Sequence, residues 1–233
     1  MKFKENKFKE NKLSQIKIDN RKLIWNKGVN DAPYKVSYTK DKITTVCPYY
    51  RVWYQMFNRC YSGKKTYRNV TICKKWWKFS IFKKWMETQD WKNKDLDKDI
   101  IAENNLEYNE FNCCFVNPYV NYLFSTSKSK LPKGVSYKKD TKRFVVHCSD
   151  NKGSSKNIGT YDTIKQASDV YISYKRNIVD EICSEICESR IILGLQNKMN
   201  MLEKDNNAKV LKFSTFATES PEADADAAGT DGF

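Results

Sequence analysis

Asp97, Lys98 and Asp99 set two carboxylates on either side of an ammonium group within three residues. On an extended strand, side chains alternate, so Asp97 and Asp99 fall on one face. Two carboxylates on one face suit a hard divalent cation, which prefers oxygen ligands. Lys98, with a reference pKa of about 10.4, is protonated near neutral pH. Unless desolvated it is a poor base for water and a better clamp for a phosphate.

The segment that must position these groups, residues 96–124, reads as strand, turn, strand and helix. Leu96, Ile100 and Ile101 flank the charged triplet, Glu103 to Asn105 make the turn, and Cys113 to Val116 form the returning strand. Pro118 stands at the first turn of a helix, where its missing N–H costs nothing. Asn121 projects from that helix back toward the hairpin.

This segment resembles the ββα-metal hairpin of the HNH nucleases, and in particular the HNH-type endonucleases of tailed bacteriophages. In that family the first strand carries an Asp followed by a His, the second opens with an Asn, and the helix carries a His or Asn nine residues later. The resemblance implies that Asp97 binds a divalent metal ion, Mg or Mn, with Asn121 as a second ligand and Asp99 as an added one. It makes Asn112 the brace of the hairpin. Lys98 stands where the family has its general-base His, which makes it either the catalytic residue or a phosphate clamp. The runs Tyr-x-x-Trp-x-x-Met-x-x-Arg-Cys-Tyr at 50–61 and Val-Thr-Ile-Cys-x-x-Trp-x-x-Phe-x-x-Phe at 70–82 look like the segment that precedes the hairpin in those phage enzymes. The resemblance covers residues 22–124.

Helical spacing of Tyr49, Val52, Met56 and Cys60, widened by Trp53 and Phe57, predicts a helix over 47–61, with Arg51, Gln55 and Arg59 wet. A strand over 67–73 and a helix over 74–88 follow. The helix turns Trp76, Phe79, Phe82 and Met86 inward, and Lys75 and Lys78 outward as candidate DNA-backbone contacts. Before them, residues 22–45 read as extended chain and turns. Residues 1–21, which open on a repeated Lys-Phe-Lys-Glu-Asn, read as a flexible basic arm.

After a short linker at 128–133 the pattern changes to three short strands near 134–137, 143–147 and 157–161. A helix follows, capped by Asp162 or Thr163, with Ile164, Ala167, Tyr171 and Tyr174 on one face. The sequence Lys-Gly-Val at 133–135, Arg-Phe at 143–144 and Gly-Thr-Tyr-Asp-Thr at 159–163 resembles the APETALA and ethylene-response-factor DNA-binding domain of plants. That family lays its sheet in the major groove. With Phe144, Val146 and Cys148 inward, alternation puts Arg143, Val145 and His147 outward, and Lys138 and Lys156 are expected to join them as DNA contacts. A further helix over 179–204 is expected, with Ile182, Ile186 and Leu193 inward and Gly194 as its weak point.

The 233 residues carry a net charge of +14. The last twenty hold five acids and no Lys or Arg, leaving 42 bases against 23 acids in residues 1–213. Such an excess favours a polyanion. No apolar run is long enough for a membrane span, and no secretory signal is visible, so a cytoplasmic protein of a bacterial host cell is expected. The eight cysteines lack C-x-x-C spacing; Cys47, Cys60, Cys73 and Cys113 read as small buried hydrophobes, with structural zinc unlikely by spacing. Residues 214–233 read as a disordered acidic tail, similar to tails that dock on replication proteins.

The fold class expected is α+β: a ββα-metal, HNH-like module at 22–127, then a three-stranded antiparallel sheet packed on one helix at 133–179, and a helical extension at 180–213. The function expected is metal-dependent endonucleolytic cleavage of double-stranded DNA. The alternative is a catalytically silent, sequence-preferring DNA-binding or regulatory protein of a phage.

Overall fold

The computed structural model describes residues 22–125, 129–150 and 153–219. The basic arm at 1–21, part of the linker and the tail beyond 219 lie outside the described residues. The chain is mixed α and β, and it divides into two compact units, Met1–Val116 and Asn117–Phe233. The division falls between the second strand and the helix of the expected ββα module.

The first unit is built on aromatic packing. It opens with a hairpin, β1 (Ser37–Lys40) and β2 (Ile43–Val46), where only extended chain and turns are expected. Its two-residue turn, Asp41-Lys42, has both φ angles positive, at 50° and 61°. That is the backbone hairpin turns require, but usually met by Asn or Gly. Helix α1 (Pro48–Tyr61) begins at its proline and buries Trp53, Met56, Phe57 and Cys60. Gly28 lies against this helix: a Cβ there would sit 2.9 Å from Trp53 and 3.0 Å from Phe57. Arg59 is not wet as expected; its Nη1 donates to the Leu96 carbonyl at 3.4 Å.

The expected strand over 67–73 shrinks to β3 (Thr71–Ile72), preceded by a 3-10 turn at Lys65–Tyr67. The helix expected over 74–88 is two pieces, a 3-10 turn at Lys74–Trp77 and α2 (Phe79–Glu87), with Lys78 extended between them. The cause is a distant residue. Val29 donates its N–H to the Trp77 carbonyl at 2.8 Å and accepts from Phe79 N–H at 3.0 Å, replacing the helical bonds there. Asp31 then takes the Ser80 N–H at 2.8 Å and its hydroxyl at 2.6 Å, satisfying the start of α2. The inward stripe is as expected, with Trp76, Phe79, Phe82 and Met86 buried. Trp53 Nε1 donates to the Trp76 carbonyl at 2.7 Å and ties the two helical pieces to α1. Strands β4 (Asp95–Asp97) and β6 (Cys114–Val116) pair antiparallel, and β5 (Glu107–Tyr108), inserted between them in sequence, pairs parallel with β3.

The second unit begins with the short helix α3 (Pro118–Leu123). Its sheet, β7 (Val135–Lys138), β8 (Arg143–Ser149) and β9 (Ser155–Tyr161), is antiparallel in that order. Helix α4 (Ile164–Ser184) packs on the sheet and is capped by Thr163, whose side chain accepts the Gln166 N–H. Gly134 sits where α4 touches the chain entering β7: its φ is +79°, and a Cβ would lie 2.0 Å from the Tyr171 ring. Helix α5 (Ser189–Glu219) runs on into the stretch from 214 expected to be disordered. It is separate from α4, so the single helix expected over 179–204 is broken at residues 185–188. The break resets the helical phase. Ile191, Leu195 and Met199 are therefore buried while Leu193 is 59% exposed, and Gly194 lies inside α5.

Candidate functional site

The β4–β6 hairpin sets Asp97 opposite Cys114, and β4 ends there. Asp97 Oδ1 accepts the backbone N–H groups of Asp99 at 2.8 Å and Ile100 at 2.7 Å, an Asx turn that takes the chain off the strand. Strand alternation therefore does not reach Asp99, and the ground for expecting it on the Asp97 face is removed.

Lys98 turns inward. It is 7% exposed, and its Nζ donates to Asp99 Oδ1 at 2.5 Å and to the Asn105 carbonyl at 2.8 Å. A buried ammonium needs such partners. So held, its amine is committed to the loop, with both bonds made inside the segment that follows β4.

Asn105 is the centre of this loop, and sequence reasoning gave it no more than a turn. Its Nδ2 donates to the carbonyls of Lys98 at 3.0 Å and Glu107 at 2.7 Å. Its Oδ1 accepts from Glu107 N at 3.0 Å and from Asn112 Nδ2 at 3.1 Å. Asn112 does brace the hairpin, through Asn105 and through its backbone N–H on Asn109 Oδ1 at 2.9 Å. The spacing of seven residues on each side of Asn105 matches no periodic element, so no pattern announces it.

Among the described residues, no three His, Cys, Asp or Glu side chains gather where they could share a metal ion. Burial raises the Cys73 and Cys113 thiols and pushes Cys60 up to about 12, so these sulfurs stay protonated. Asn121 is different. In the second unit, its Oδ1 is buried and has no hydrogen-bond partner. Leaving such an oxygen unpaired costs about 1–3 kcal/mol. An amide oxygen is a kind of ligand that Mg or Mn takes. Asp97 belongs to the first unit.

On the sheet, Phe144, Val146 and Cys148 are buried beneath α4 and α5, and Arg143 and His147 are exposed on the other face. Val145, on that same face by alternation, is buried. Lys138 pairs directly with Arg143 and joins it. A bulge between Val146 and His147 shifts the register, so His147 faces Asn157 and Lys156 faces Cys148. Opposed residues share a face, which puts Lys156 with the helix-side residues and not with Arg143 as expected. Arg143 Nε donates to Asp162 Oδ1 at 2.7 Å.

In the first unit Lys75, on the 3-10 turn, pairs with Glu110 at 2.9 Å, which raises the lysine and lowers the carboxyl. Lys78 is exposed in the break before α2.

A group of lysines in the second unit escaped sequence reasoning because nothing on its helix wheel marks it as polar interior. Lys175 on α4 is 3% exposed, and burial lowers its pKa. Lys133 is pushed down to about 8 by burial and by the nearby Lys175 and Lys209. Its Nζ donates to the carbonyls of Leu123 at 3.3 Å and Ser125, at the end of α3. Asn206 of α5, fully buried, accepts the Lys133 N–H at 2.9 Å.

No family model matches the chain, and no curated protein or solved structure matches it either.

Proposed function

We propose that this chain binds duplex DNA, with the outer face of the β7–β8–β9 sheet laid in the major groove. The observation that carries the reading is the outer face of β7 and β8, where Arg143, His147 and Lys138 are exposed around a buried Val145. Arg can grip guanine O6 and N7 with two hydrogen bonds, and Lys adds charge. The net charge of +14 supplies the sequence-independent attraction to phosphate. The likeness to plant DNA readers supports the same reading. The test is titration of the full chain onto labelled duplexes at low and at physiological salt. Binding that weakens steeply with salt is expected; no affinity above that of a neutral control protein at low salt would sink the reading.

A second reading is metal-dependent hydrolysis of the DNA backbone, favoured by the unpaired Asn121 Oδ1. An ion held there would supply positive charge to the scissile phosphate. Lys98 contributes structure to this reading and no base, since its amine is committed to Asp99 and Asn105. Nicking of supercoiled plasmid with Mg or Mn, abolished by chelator and by Asn121→Ala, would establish it. Intact plasmid under the same conditions leaves a DNA-binding protein alone. Among the described residues no helix is long and apolar enough to cross a membrane.

A further inference from the structure

We propose that Asp162 is a positioning residue that holds the Arg143 guanidinium edge-on to a guanine, and so sets base preference without touching DNA. The inference rests on the DNA-binding reading and adds to it the base recognised and the residue that enforces it.

Asp162 stands one residue before the N-cap of α4, where an Asp would ordinarily compete for the helix's free N–H groups. Thr163 already does that work, accepting the Gln166 N–H at 3.2 Å. Asp162 is thereby released to accept Arg143 Nε at 2.7 Å. The sheet brings the two close: Phe144 is opposite Tyr161, the last residue of β9, and Arg143 and Asp162 are the residues next to that pair. Both side chains are exposed.

A guanidinium is planar, so fixing Nε fixes the plane and leaves the two terminal nitrogens to donate. Among the described residues nothing accepts from Arg143 Nη1 or Nη2. Two parallel donors in a fixed plane match the O6 and N7 acceptors of guanine and no other base edge in the major groove. A phosphate does not need that arrangement. The Asp162 carboxylate repels phosphate, so its presence beside Arg143 weakens plain backbone binding while sharpening base choice.

The two effects have opposite signs, which makes the proposal testable on the full chain. Selection from a random duplex library first defines the preferred site, and binding is then compared with guanine and with adenine at each selected position. Wild type is expected to prefer guanine at one position by about ten- to a hundredfold. Arg143→Ala and Asp162→Ala should both bring that ratio close to one. Binding of Asp162→Ala to unrelated duplex should hold or tighten, and Asp162→Asn, which keeps an acceptor oxygen, should retain part of the ratio. A structural role alone would lower all binding together and would be seen as a lowered melting temperature. Guanine preference surviving in Asp162→Ala, or absent from wild type, overturns the proposal while leaving DNA binding in place; no duplex affinity at all overturns the underlying reading.

Discussion

Lys98 carries the largest difference between what its position suggests and what its side chain does. Its amine holds a loop together from inside, donating to Asp99 and to the Asn105 carbonyl. Lys98→His therefore tests structure before chemistry. The imidazole is shorter and cannot span both partners, and hydrogen bonds from a charged group contribute about 1.5–3 kcal/mol. The variant should lose about 2 kcal/mol of unfolding free energy in urea and gain no plasmid nicking. A gain of nicking in a stable protein would mean that the site lacks only its base.

Lys133 makes a second prediction at this scale. Its folded pKa, about 8, lies below the ordinary lysine value of about 10.4. Between those values the unfolded chain binds the proton and the folded chain does not, so stability rises with pH through that window and is flat in this respect below it. Lys175, also lowered, acts in the same direction; Cys60, Cys73, Cys113, Cys148 and Cys183, raised by burial, oppose both once pH passes the ordinary thiol range. The Lys133 contribution is therefore read as a difference: just above pH 8, the stability of wild type relative to Lys133→Met in urea unfolding should rise with pH.

Among the elements, legibility followed the range of the forces involved. The inward faces of α1 and α2, the three strands of the second unit and the Thr163 cap are set by neighbours within a turn or a strand pair, and their patterns are plain in the sequence. The break at Lys78 depends on Val29, nearly fifty residues away, and leaves no local mark. The bulge that moves Lys156 off the Arg143 face adds one residue to a register no alternation rule can anticipate. Asp97 and Asn112 were legible as parts of a hairpin, but Asn105, which joins Lys98 to Asn112, was not. Gly134 allows the packing of α4 to be tested against backbone strain alone. Gly134→Ala meets both a positive φ and the Tyr171 ring, whereas Gly63→Ala, at φ +83°, meets nothing within 4 Å. Left-handed strain is about 1–2 kcal/mol and overpacking about 1–3 kcal/mol. Gly134→Ala should thus be the more damaging by at least about 1 kcal/mol in urea unfolding, and equal losses would show that Tyr171 moves aside freely.

At the scale of the whole chain, charge and base contact fall to different segments in the proposed reading, so the two are separable. Residues 1–12 contain five lysines and two glutamates. In that reading, Arg143, on β8 and bonded to Asp162, contacts the base and the arm contacts phosphate. Each phosphate neutralised adds about −0.9 to the slope of log affinity against log salt. Deleting residues 1–12 should flatten that slope by up to a few such steps, with the ranking of target sequences unchanged. Arg143→Ala should compress the ranking and change the slope by no more than about one step. The measurement is the salt dependence of binding for both variants on a preferred and an unrelated duplex. Were the arm deletion to alter sequence ranking, base contact would not be confined to the sheet; were Arg143→Ala to flatten the slope while sparing the ranking, Arg143 would be one more phosphate contact, and the sheet would bind DNA without reading it.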